Sequence, residues 1–246
     1  MTRSPSSDLG VLREGWRALR SHPGTLAGLV AAGTLLGVVG PLLQRLAGLP
    51  SDPATSYLMG AAGMLPMELY FLPRFLLRLD AEGGGPDRLE NPAGAWRETF
   101  ERRWLRIVAA KLGLDLALVL GFVPLVLPGL FVLFAFGWAP MRVLLRGETL
   151  PVAMRESFAL MRRAWRRAFL MVSAALAVTF FAAALFMAAA AFLMPGPEAW
   201  QDLSNPVPWV LNAASVAVNA WLSATLLAAY RRLEGYPAPD PSSGGK

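Results

Sequence analysis

A chain of 246 residues that is 55% hydrophobic and only 16% charged is unlike an ordinary soluble domain. Its formal charge of +6 would suggest nucleic acid in a soluble protein. Here the arginines flank apolar runs, which points to anionic lipid headgroups instead and excludes nucleic acid. With no cysteine, disulfides and thiolate chemistry are excluded as well.

Residues 1–6 are polar, and Ser7 offers a cap for a short helix carrying Leu9, Leu12, Trp16 and Leu19 on one line. Arg13, Arg17 and Arg20 fall off that line, so the helix is expected to rest on a membrane surface. A first span is expected over residues 24–43, read as an uncleaved anchor because it exceeds a signal-peptide core. Gly33 and Gly37 form a GxxxG pair, a helix-packing surface. The second span, 56–72, carries Glu68 inside the apolar run and prolines at 66 and 73. A charged loop follows, with Gly83-Gly84-Gly85-Pro86.

Asn91-Pro92 predicts the start of a second amphipathic helix, with Trp96, Phe100 and Trp104 on one face and Arg97, Arg102 and Arg103 beside them. The third span, 105–127, contains Lys111 and Asp115. A turn at Pro128-Gly129 leads into a fourth span ending near Arg142. The third amphipathic helix is expected to begin near Thr149. Met154, Phe158, Met161, Trp165 and Phe169 recur at spacings of four, three, four and four, and Arg155, Arg162, Arg163, Arg166 and Arg167 take the other face. Spans over 170–193 and 209–230 complete the set, and the tail 236–246 is expected to be disordered and cytoplasmic.

The segments before span one, between two and three, between four and five, and after six carry 4, 7, 7 and 3 of the 23 Lys/Arg, with Arg106 and Arg142 counted at the span edges. That asymmetry predicts cytoplasmic termini and three cytoplasmic surface helices. Those helices share a signature: Leu12-Arg13-Glu14-Gly15-Trp16, Trp96-Arg97-Glu98-Thr99-Phe100 and Met154-Arg155-Glu156-Ser157-Phe158. One unit used three times, over roughly 7–80, 91–146 and 149–235, accounts for it. Convergence among interfacial helices is the alternative. The fold expected is all-α: a polytopic membrane protein forming one domain over 1–235, with six transmembrane helices and three amphipathic interfacial helices.

The pattern Pro128-Gly129, Ala139-Pro140, Gly147, Ala153, Ser157, Leu160 and Trp165 resembles the membrane domain associated with bacterial glycerophosphodiester phosphodiesterases and its stand-alone integral membrane relatives. The likeness is specific over residues 123–170 and one of topology elsewhere. In that family proline-glycine opens a span, alanine-proline closes it, and a Ser-x-x-Leu helix follows. Relatives carry an acid before the glycine where this chain has Arg146-Gly147, so no role tied to that acid is carried over. The resemblance implies a membrane module without hydrolase activity.

The residues themselves point the same way. The one histidine, His22, stands beside a proline, and no zinc, Walker or dinucleotide motif is present. No enzyme, metal or cofactor is expected. Polar groups at membrane depth are more informative. Glu68, Lys111 and Asp115 form a candidate buried cluster, because such charges persist only when paired or wetted. Asn212, Ser215, Asn219 and Ser223 line one face of the last span, where interhelical hydrogen bonding is the expected role. Two functions stay open. One is a plasma-membrane module, of a bacterium, whose basic helices bind anionic lipid or a cytoplasmic or membrane protein partner. The other is a small transporter or channel using the buried polar groups.

Overall fold

The computed structural model describes residues 9–50, 52–82, 92–122, 126–193 and 205–235, and among these the regular structure is entirely helical. The expected tail, 236–246, and the side chains of Trp96 and Arg97 lie outside what is described. In chain order the helices are α1 (Gly10–Ser21), α2 (Pro23–Leu46), α3 (Pro53–Pro66), a π-helical turn (Met67–Phe71), α4 (Leu72–Glu82) and α5 (Pro92–Phe122). Then come α6 (Val126–Phe136), α7 (Ala139–Arg146), α8 (Leu150–Leu193) and α9 (Pro206–Glu234). Three of them, α2, α8 and α9, are long and apolar enough to cross a membrane.

Helix α9 is the hub. Asn205 caps its start by accepting from the Val207 N–H at 3.0 Å, Pro206 occupies the first turn, and Gly235 ends it at φ 85°. Along its length α9 packs on α1, α2, α4 and α8. The GxxxG pair faces it: a Cβ at Gly33 would run into Val216, and one at Gly37 would overlap Asn212. Since residue numbers rise along α2 as they fall along α9, the two helices are antiparallel. Met171 near the start of the long limb of α8 shares a cluster with Tyr230 near the end of α9, so these are antiparallel too. The start of the long limb of α8 and the end of α9, both rich in arginine, therefore gather with the start of α2, which follows the basic helix α1, while Arg45, the one arginine of α2, lies at the other end.

Several elements differ from expectation. The second amphipathic helix and third span are a single unbroken helix, α5, of 31 residues. No proline or glycine stands between Gly94 and Gly113, and the intervening residues are mostly good helix formers, so nothing ends a helix at Trp104. The expected fourth span is broken at Gly137-Trp138 into α6 and α7. Pro128-Gly129 lies in the first turn of α6, and Ala139-Pro140 opens α7 instead of closing a span. Helix α1 buries Val11, Gly15 and Leu19 against the core, while Leu9 and Trp16 are exposed. Gly15 is what permits this, for a Cβ there would stand 2.9 Å from the Thr225 backbone. The expected apolar line is thus split, with Leu9 and Trp16 outward, Leu12 half-buried and Leu19 in the core, and the line of Val11, Gly15 and Leu19 is the one that docks.

Helix α8 is kinked at Ala164 (φ −130°, ψ 30°), which separates 150–163 from the long limb 165–193. The amphipathic helix therefore ends before Trp165, short of the expected limit at Phe169. The π-helical turn also has a local cause. Pro73 has no N–H to give the Leu69 carbonyl in α-helical register. The Leu72 N–H bonds instead to Met67, five residues back, and Leu69 O accepts from the Trp104 indole at 3.2 Å.

Candidate functional site

The π-helical turn aims Glu68 at α5, where Lys111 and Asp115 share a face four residues apart. Lys111 Nζ lies 2.8 Å from both Asp115 carboxylate oxygens and 3.2 Å from Glu68 Oε2. The structure thus brings the three sequence-predicted charges together, with side chains 32–42% exposed. Neighbouring Met67 is fully buried and packs toward Gly33, midway along α2, where Val216 of α9 also meets it. Glu68 accordingly sits near the midpoint of a helix able to span a membrane, about 15 Å from its start at Pro23.

The polar stripe on α9 does not act as a unit. Asn212 Nδ2 donates to Thr34 O at 3.1 Å and Gly33 O at 3.4 Å, joining α9 to α2. Ser223 is buried, Asn219 half-buried and Ser215 exposed. Asn212 and Ser215 instead line one side of a cavity of about 360 Å³ between α2, α8 and α9, which is otherwise walled by Val38, Phe186, Met187 and Trp209.

The arginines at the gathered helix ends fall into two sets. Arg142 on α7 is 4% exposed and reaches Glu148 through two bonds of 2.8 and 2.9 Å, and Glu234 on α9. Arg146 joins the same Glu234 at 2.9 Å. Arg231 holds Asp80 on α4, and Arg232 holds Glu14 on α1. Arg103, expected at a lipid surface, instead donates to Leu144 O and Leu145 O at 3.1 and 2.7 Å. It covers Gly147, whose φ of 67° ends α7 and whose missing Cβ leaves Arg103 its place. Sequence reasoning missed this ionic layer. Its only signal was Glu14, Asp80, Glu148 and Glu234 standing among the arginines, and partners so far apart in sequence obey no spacing rule.

The second set is on α8. Arg155, Arg162 and Arg163 are exposed, and none pairs with a carboxylate among the described residues. Arg166 and Arg167 are exposed, with the Arg166 guanidinium 5.6 Å from the Trp165 ring centre. Arg102 is exposed on α5. Between these arginines Phe158, Trp165 and Phe169 are 42–56% exposed, whereas Ala153, Ser157 and Leu160 are buried. Ser157 donates to Ala135 O at 2.9 Å, which fastens this limb to α6. The helix therefore has three strips: small residues inward, aromatics and arginines outward.

Among the described residues no group of three or more His, Cys, Asp or Glu stands close enough to hold a metal. No curated protein and no solved structure matches the chain. Residues 105–233 match a family described as a domain of unknown function, DUF7847. The match begins on α5 and runs through Lys111, Asp115, the Arg142 pairs and the arginine face of α8. It takes in more than half of the sequence, so the chain belongs to the DUF7847 family.

Proposed function

We propose that this chain is a six-span protein of a bacterial plasma membrane, with both termini cytoplasmic, that binds anionic lipid through the arginine and aromatic face of α8. The observation that carries the reading is the division of the arginines. Those at the ends of α7 and α9 are taken up by carboxylates, while Arg155, Arg162 and Arg163 stand exposed beside Phe158 and Trp165. Exposed aromatic rings interleaved with cations suit the headgroup layer, where rings sit at the polar boundary and arginines meet phosphate.

Support for two of the three further spans comes from continuity, while the fourth, broken at Gly137-Trp138, rests on the distribution of arginine alone. The run from α3 through α4 is helical throughout residues 53–82, and α5 is about 46 Å long at 1.5 Å per residue. Support for the repeat comes from burial. When Leu12-Arg13-Glu14 is aligned with Met154-Arg155-Glu156, Val11 and Gly15 fall on Ala153 and Ser157, and all four are buried. The likeness to the membrane domain of the phosphodiesterase relatives fits a module without its own catalysis.

The test is partition into vesicles. Each cationic residue at an anionic surface contributes about 1 kcal/mol, screened by salt. A peptide of residues 149–169 is expected to bind anionic vesicles far better than neutral ones, with the preference shrinking as salt rises. Purified protein with Arg155, Arg162 and Arg163 changed to Gln should lose most of its preference for co-purifying anionic lipid. Equal binding of the peptide to both vesicle types would overturn the lipid reading.

A further inference from the structure

The charged cluster has a face beside it that the lipid-binding reading leaves unused. On α5, Leu105, Ala109, Leu112, Leu116 and Leu120 recur at spacings of four, three, four and four, and all five are exposed. The four leucines are 46–73% exposed, so this is a continuous apolar seam left open by the described residues. Spacing of this kind is what a second helix packs against, and Ala109 provides a low point where backbones can approach. Asp115 borders the seam one turn beyond Leu112, Lys111 lies further round the helix, and Glu68 reaches that lysine from the π-helical turn.

Charge decides what suits this face. Two carboxylates share one ammonium, which leaves the cluster with an excess of one negative charge. Neither Glu68 nor Asp115 pairs with any other cation among the described residues. Lipid tails offer no counter-charge at that depth, and an unpaired charge there is strongly unfavourable. We propose that the seam and the Glu68–Lys111–Asp115 cluster together dock a transmembrane helix of another protein, one that carries a single arginine or lysine near its middle. The cation completes the cluster to neutrality while the leucines supply the packing. A second copy of this chain fits worse, because a twofold contact through the seam brings two negative clusters together.

This inference rests on α5 crossing the membrane, and the experiment separates the two claims. The chain has no cysteine, so single cysteines can be placed at will. Leu112→Cys and Leu116→Cys in proteoliposomes should resist a water-soluble maleimide that readily labels Ala47→Cys in the α2–α3 turn. If they label as fast as Ala47→Cys, α5 is not in the membrane, and the span reading and the docking face fail together. Docking itself is read by energy transfer between the labelled full-length chain and host oligo-leucine transmembrane peptides bearing a central Arg, Gln or Glu. The Arg peptide should associate at least tenfold more tightly than the Gln peptide, and the Glu peptide less tightly than either. That preference should disappear in Glu68→Gln/Asp115→Asn. Because that variant changes the fold's own ion pairs, Ala109→Trp is the second arm. It leaves the cluster intact, sits on an exposed face, and should abolish association of the Arg peptide by crowding the seam. Equal binding of Arg and Gln peptides with both cysteines protected would overturn the docking proposal alone, as would full binding by Ala109→Trp. Self-association of the labelled chain that Ala109→Trp abolishes would also overturn it, in favour of a second copy.

Discussion

Arg142 and Arg155 carry the same side chain into opposite surroundings. Arg142 is enclosed, with Glu148 and Glu234 on its guanidinium and the mutually tilted rings of Trp138 and Tyr230 nearby. Removing one member of a buried ion pair strands its partners and costs about 3–5 kcal/mol. Arg142→Leu should therefore lower the unfolding temperature sharply in detergent. Arg155→Gln should change stability by no more than about 0.5 kcal/mol, as surface substitutions do, while weakening anionic-lipid binding. Thermal unfolding of both variants, followed by circular dichroism, checks the contrast. Equal melting shifts would show that Arg142 is not the anchor described. The sequence displayed both arginines within one basic stretch and had no means to sort them. Burial of Arg142 depends on acids contributed by a loop and by the far end of α9, so the distinction belongs to tertiary structure.

At the scale of elements, small residues decide which helices touch. Asn212 on α9 lies where a Cβ on Gly37 would be, and its amide reaches the α2 carbonyls. Gly37→Ala should cost about 1–3 kcal/mol by overpacking, whereas Asn212→Ala should cost only about 0.6 kcal/mol, the usual worth of an interhelical bond in a membrane. Combining them should recover part of the loss, because the second change removes what the new methyl strikes. Strict additivity in unfolding measurements would mean that the two positions do not meet. The GxxxG pair was legible in sequence because glycine in an apolar run has few other uses. The orientation of α1 was not. Leu9, Leu12, Trp16 and Leu19 make the stronger apolar line, yet only Leu19 of the four is fully buried, because Gly15 lets the face it shares with Val11 approach α9 closely. Apolarity locates a helix at a membrane, but it does not distinguish the side facing protein from the side facing lipid. The same inversion recurs on α8, where Ser157 turns inward and Phe158 outward. The break between α6 and α7 was hidden for a related reason, since Gly137 and Pro140 occur in a run whose hydropathy alone reads as one span.

For the molecule as a whole, the distribution of arginine carries the argument. It was legible in full, because counting residues on either side of apolar runs needs no packing. The structure adds that the arginine-rich end of α9 lies beside the start of α2 and the start of the long limb of α8, and it ties α1, α4 and α7 to that end through the Glu14–Arg232, Asp80–Arg231 and Glu234–Arg146 pairs. The contact of Glu68, Lys111 and Asp115 was legible only in part. The four-residue spacing put Lys111 beside Asp115, but the reach of Glu68 depends on a π-helical turn that precedes Pro73. The measurement that tests the central claim most directly is a set of topology reporters fused along the chain. Fusions after Leu49 and after Trp200 should report the external side, and fusions after Gly84, Gly147 and Gly235 the cytoplasm. A cytoplasmic signal after Leu49 or Trp200, or an external signal after Gly84 or Gly147, would contradict the six-span arrangement and the cytoplasmic arginine face built on it.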